Sequence, residues 1–219
     1  MPDLTGGIIM LKSIAIKPNI AVATLCIVLF CTSAFATTKG LNQIVTPDIQ
    51  PEGVLSVSFQ GENNTLGNSE QLQLEIGVTP SFEIAVFRGF KPGENILGAE
   101  VGLVKSKSFL LSTGILGVEN RLKPQPFLEA GYYNGKGTII AGVQEQYSKS
   151  YGVFGAAYQA APVVLVTADY ISGSTNFATL GVTLTLTGNL SWNPAIYISN
   201  QSPRRAYSYS VVSWNVKAW

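Results

Sequence analysis

The chain has 219 residues, of which 46% are hydrophobic and only 12% charged, with 22 Gly, 11 Pro, 2 Cys, no His and a formal net charge of +1. Sparse charge at this apolar content excludes a disordered chain, and the absence of a Lys/Arg surplus excludes the phosphate footprint of a nucleic-acid binder. Without histidine there is no Ser-His or Cys-His catalytic pair and no His-ligated metal, so the composition points away from an enzyme.

The first 36 residues read as an address. From Met10, a possible true start, Lys12 and Lys17 form a basic region, and Ile20 to Phe30 is apolar or small apart from Thr24. Ala34-Phe35-Ala36 then offers small residues at the two positions read by a signal peptidase, which predicts a cleaved signal peptide over 1–36. The apolar run falls short of the roughly 20 residues a membrane-spanning helix needs. Cys26 and Cys31 both lie within residues 1–36, so the exported chain has neither a disulfide nor a thiolate metal site. No cofactor is implied. Residues 37–52 form a short N-terminal extension ahead of a body spanning 53–219.

In that body the recurring pattern is alternation with period two, the signature of strands with two unlike faces. Leu55, Val57 and Phe59 alternate with Ser56, Ser58 and Gln60; Leu72, Leu74 and Ile76 alternate with Gln71, Gln73 and Glu75. Ala178, Leu180, Val182, Leu184 and Leu186 oppose Thr179, Gly181, Thr183, Thr185 and Thr187. Twelve segments are predicted, at about 53–61, 70–78, 81–88, 95–105, 108–118, 126–133, 136–145, 150–159, 163–172, 175–187, 190–198 and 206–216.

Their connections alternate in length. The turns at Thr79-Pro80, Asn134-Gly135, Ala160-Ala161-Pro162 and Gly188-Asn189 are tight, whereas ENNTLGNS, GFKPGEN, ENRLKPQ and SNQSPRR are long and polar. Asn134-Gly135 has the composition of a type I′ hairpin turn, which needs positive φ at both central positions. QYSK is intermediate, and Gly173-Ser174 is short where the rhythm calls for a longer loop. Short turns on one side and longer loops on the other are the habit of a transmembrane barrel.

A soluble sandwich would hide its apolar face and clothe the other in charge. Here the second face is mostly Gly, Ser, Thr, Ala and Gln, while many charges fall in turns, which is thin cover for a water-exposed sheet. With the apolar face turned outward to lipid the pattern becomes consistent, since a mid-depth Arg or Lys there would cost about 2–4 kcal/mol. Closure is then obligatory, because an unpaired edge N–H or C=O in hydrocarbon costs several kcal/mol. The expected fold is an all-β, antiparallel up-and-down transmembrane β-barrel of about 12 strands. Aromatics near strand ends, from Phe59 and Phe82 through Phe127, Tyr133, Tyr151 and Phe177 to Tyr207 and Trp214, suit a girdle at headgroup level.

The run LQLEIGVTPSFEIAVFRG, Leu72 to Gly89, resembles a hairpin of Gram-negative outer-membrane transporter proteins, including those associated with aromatic-compound degradation and exopolysaccharide export. Trp219 resembles the aromatic C-terminus of outer-membrane barrels, although it is out of frame with Val212, Trp214 and Val216. These resemblances imply an outer-membrane location and recognition by the barrel-insertion machinery.

With apolar residues outside, Glu75, Glu83, Glu100, Glu129 and Asp169 point into the lumen, where they hydrogen-bond the interior or bias it toward cations. Glu75 and Glu83 flank one tight turn and would lie close together. No catalytic residue and no metal site is expected. Arg204 and Arg205 lie in a late loop and are candidates for contact with lipopolysaccharide phosphates. No loop is long enough for a plug, which leaves 37–52 as the segment able to tuck inside. The resulting expectation is a small passive pore or transport component contacting membrane lipid and a small solute. Its alternatives are a non-conducting structural or assembly barrel of an export complex, and a secreted soluble β-sandwich or ligand-binding barrel.

Overall fold

A computed structural model describes residues 40–63, 66–91, 93–117 and 123–219. The predicted signal peptide and residues 37–39 lie outside the described residues. Twelve strands follow in order: β1 (Val54–Glu62), β2 (Glu70–Thr79), β3 (Phe82–Phe90), β4 (Gly93–Lys105), β5 (Phe109–Leu116), β6 (Gln125–Tyr133), β7 (Gly137–Gln146), β8 (Lys149–Ala161), β9 (Val164–Ile171), β10 (Phe177–Thr185), β11 (Leu190–Ser199) and β12 (Ala206–Lys217).

Each strand pairs antiparallel with its sequence neighbours, and β1 pairs with β12, closing the barrel. The closing seam sets Leu55 opposite Val216, Val57 opposite Trp214 and Phe59 opposite Val212, with Ser58 against Ser213 on the other face. Closure leaves no edge to hydrate, the condition that lets a sheet turn an apolar face outward.

Alternation assigns the faces. Phe59, Val86, Leu97, Leu128, Ile139, Phe154, Leu180, Ile196 and Val212 are all exposed on the outside, whereas Ser56, Ser112, Glu129, Thr167, Ser191, Asn193 and Ser213 are almost wholly buried inside. Among the described residues, outward-facing charges such as Arg88 and Glu145 stay within two residues of a strand end, so the middle of the belt carries none. β11 nonetheless holds Pro194, which has no N–H for the ladder. Its pairing with β10 skips from Gly181/Ala195 to Leu184/Trp192, and the Asn193 Nδ2 donates to Thr183 Oγ1 at 2.8 Å across the gap.

The lower rim carries Gly53 and Lys217, and its turns span only two to four residues. The upper rim holds the longer connections, from β1 to β2, from β5 to β6 and from β11 to β12. Four connections differ from the sequence reading. Pairing of Phe90 with Gly93 extends both strands into GFKPGEN, where a long loop was expected. QYSK likewise shrinks to Tyr147-Ser148, both at positive φ (53° and 64°), the type I′ pattern expected at Asn134-Gly135. At the latter, only Gly135 has positive φ, because the turn widens to 134–136 and Asn134 Oδ1 accepts the Gly137 N–H at 2.9 Å. Gly173-Ser174 belongs to a five-residue loop, 172–176, whose carbonyl at Gly173 is held by Asn200 Nδ2.

Phe82, Phe109, Tyr132, Tyr158, Trp192 and Trp214 face outward toward the lower rim, forming one aromatic girdle. Trp192 Nε1 donates to Ser210 Oγ at 2.8 Å, which satisfies the indole on an apolar face. Phe127 departs from the expected girdle, being 4% exposed on the inner wall. Phe177 and Tyr207 depart likewise and pack on the buried Tyr197–Tyr209 pair. Tyr151 packs with the interior cluster, and Tyr133 shares the inward frame of Glu129 and Gly131. Strand parity, rather than closeness to an end, decides which aromatics reach the outside.

Candidate functional site

The lumen is the concave polar surface of the molecule, and residues 40–52 run through it. From Gly53 at the lower rim, Glu52 forms an isolated bridge with Gly77, and the Gln50 N–H donates to Glu83 Oε2 at 2.6 Å. Ile49 lies over Gly102 and Pro47 over Gly131. Farther in, the chain turns at 41–44, where the Leu41 N–H donates to the Ile44 carbonyl at 3.0 Å.

That turn is fixed to the far wall by polar groups from β9 to β11. Asp169 Oδ2 accepts two successive backbone N–H groups, from Asn42 at 2.7 Å and Gln43 at 3.2 Å, while its Oδ1 accepts the Thr179 hydroxyl at 2.6 Å. The Tyr197 hydroxyl donates to the Asn42 carbonyl. The Asn42 carboxamide bridges Thr179 Oγ1 at 2.8 Å and Thr167 Oγ1 at 3.1 Å, and Gln43 Nε2 donates to the Phe177 carbonyl at 2.8 Å. Leu41 and Ile44 join Ile140, Val153, Ala157 and Ile171 in a buried apolar cluster. Burying these peptide groups is tolerable because they are hydrogen-bonded.

On the opposite side of the turn a cavity of about 290 Å³ remains, lined by Glu75, Glu83, Glu100, Gln60, Gln73 and Tyr209 among others. Three carboxylates and no Lys or Arg line it.

The five acids identified from the sequence occupy different parts of the interior. Glu83 and Glu100 stand directly opposite each other on β3 and β4. Glu75 pairs with Ala85 and Gly77 is set opposite Glu83, so Glu75 and Glu83 are diagonal neighbours that line the same cavity. Glu129 lies between Ser112 and Gly142, and Asp169 between Gly155 and Thr179. Arg204 and Arg205 are exposed on the upper rim. Among the described residues, no group of three or more His, Cys, Asp or Glu side chains is placed to hold a metal ion. Asn42, Gln43, Thr167, Thr179 and Tyr197 complete the site without any local periodicity to mark them, because the contacts between the turn and the wall span more than 120 residues.

No protein-family model matches the sequence, and no curated protein matches it. Solved structures do resemble the barrel. The KdgM porin superposes with a TM-score of 0.50 at 12% identity, covering 74% of this chain and 98% of that one. The likeness is one of fold. A second KdgM porin structure, in complex with disordered oligogalacturonate, gives 0.49 at 12% identity over 74% and 98% of the two chains. The NanC porin gives 0.49 at 5% identity over 73% and 97%.

Proposed function

We propose that the protein is a small outer-membrane pore of a Gram-negative cell, delivered by its signal peptide and the barrel-insertion machinery, and passing a small solute through the lumen. The observation that carries this reading is an apolar outer belt whose middle carries no charge among the described residues, around a closed barrel with a polar interior. Water would select the opposite arrangement, and lipid tolerates only this one. The short turns then lie on the periplasmic side and the longer loops outside. Arg204 and Arg205 fall on that outer rim, within reach of lipopolysaccharide phosphates.

The carboxylate-lined cavity favours neutral or cationic solutes over polyanions. In planar bilayers under a KCl gradient, the protein is expected to conduct in discrete steps with cation preference. The double variant Glu75→Gln/Glu100→Gln is expected to reduce that preference several-fold. Protein that is folded in the bilayer yet never conducts, with the lumen segment seated or released, would refute the pore. The occupied lumen also supports a second reading, a non-conducting barrel of an export complex, which predicts a stoichiometric partner on purification and no current.

A further inference from the structure

We propose that the inner wall from β7 to β11 is a peptide-binding site whose ligand is the chain's own 41–44 turn, and that this tethered ligand constricts the lumen. The constricting role rests on the pore reading; the binding site does not.

Three features separate a bound ligand from an integral part of the wall. The first is that the wall recognises the peptide backbone itself. Asp169 receives the N–H groups of Asn42 and Gln43 while Tyr197 supplies a donor to the carbonyl of Asn42, so one peptide unit is gripped at both polarities. The second is that the wall lacks atoms where the segment has them. A Cβ on Gly155 would lie 2.5 Å from Leu41 Cδ1 and 2.6 Å from Ile44 Cδ1, and its nearest wall atom, Ile140 Cβ, is a comfortable 3.6 Å away. A Cβ on Gly181 would collide first with the Asn42 carboxamide. Glycine weakens a strand interior, so these two vacancies serve whatever fills them.

The third feature is how the segment joins the sheet. Residues 40–52 meet it through the isolated bridge at Glu52 and otherwise through side chains, whereas every barrel strand is paired with a neighbour on both sides. Lifting the segment therefore breaks a handful of side-chain bonds and leaves the barrel closed, the kind of sub-global opening a protein can undergo without unfolding. The ligand class follows from the contacts: an uncharged peptide turn with two aliphatic side chains three residues apart flanking two carboxamides.

The test uses the full chain carrying Cys26→Ser, Cys31→Ser and Ile44→Cys, folded in detergent and checked by heat-modifiable migration. Ile44 is 2% exposed, so a water-soluble maleimide should react slowly with the introduced thiol. Asp169→Ala removes the grip, and Gly155→Val fills the seat from the wall side. Each is expected to speed labelling by about tenfold or more, since each removes interactions worth at least a factor of that order. Gly188→Val, in an exposed turn with nothing near its Cβ position, should leave the rate unchanged. Fast labelling in the parent, or folded Asp169→Ala and Gly155→Val proteins that label no faster than it, would overturn the proposal; should one fail to fold, the other decides. Bilayer recordings of the same two variants separate the two claims. A larger unit conductance alongside faster labelling supports both, and faster labelling without current upholds the peptide site while removing the pore.

Discussion

Leu180→Arg is expected to destabilise the barrel in a phospholipid bilayer by about 2–4 kcal/mol. Leu180 sits at the middle of β10, 56% exposed, between Ala168 of β9 and Ile196 of β11 on the outer face. A guanidinium there must lie among acyl chains or distort the bilayer to reach water. On a water-facing sheet the same substitution at a half-exposed site would change stability by no more than about 0.5 kcal/mol. Leu186→Arg provides the internal control. Leu186 is equally exposed but lies in the lower-rim turn, where depth is small and a cost of about 0–1 kcal/mol is expected. Urea unfolding in vesicles, followed by tryptophan emission, measures both. Equal and negligible effects would place the outer face in water.

Gly142→Val is expected to cost about 3 kcal/mol or to abolish folding, for a reason unrelated to lipid. Gly142 is on the inner face of β7, opposite Glu129 of β6. A Cβ there would press on the Leu128 carbonyl oxygen and lie 2.8 Å from Glu129 Cγ and 3.0 Å from Glu129 Cα. Backbone of a paired strand cannot retreat without opening the ladder, and in a closed ring every ladder is needed. Gly155→Val provides the contrast, because the atoms it meets belong to a segment that can move aside. The fraction migrating as folded protein without heating should therefore fall sharply for Gly142→Val and stay near the parent level for Gly155→Val. A Gly142→Val barrel with an unchanged urea midpoint would show that the inner wall has more room than these contacts allow.

The strands were legible in the sequence because a membrane barrel writes one rule along its whole length. Leu72, Leu74 and Ile76 against Gln71, Gln73 and Glu75 already state the two faces, and β2 follows over Glu70–Thr79. Turn lengths were less legible. At Tyr147-Ser148 neither residue advertises positive φ, so composition concealed the tight turn that pairing of Gln146 with Lys149 imposes. At 172–176, the loop is held open by Asn200, a residue from a different loop.

The lumen acids were readable as inward by parity alone, but not their partners. Asp169 was placed by its alternation with Ala168 and Tyr170, whereas its bonds to Asn42 and Gln43 cross 127 and 126 residues. Residues 37–52 were the one stretch with room to enter the barrel, and the uncharged Leu41–Thr46 run is compatible with burial there. Nothing in that run, however, names Gly155 and Gly181 as the positions that make space for it. Such complementarity exists only between a segment and a wall, and a one-dimensional pattern does not record it.

The most direct test of the central claim is where the tryptophans sit. Trp192 and Trp214 face outward in the girdle, and Trp219 is exposed just beyond β12. In vesicles made with brominated phosphatidylcholine, their emission is expected to lose most of its intensity relative to unbrominated vesicles, with little quenching by aqueous acrylamide. Emission indifferent to bromine and readily quenched by acrylamide would contradict a barrel whose apolar side chains contact lipid.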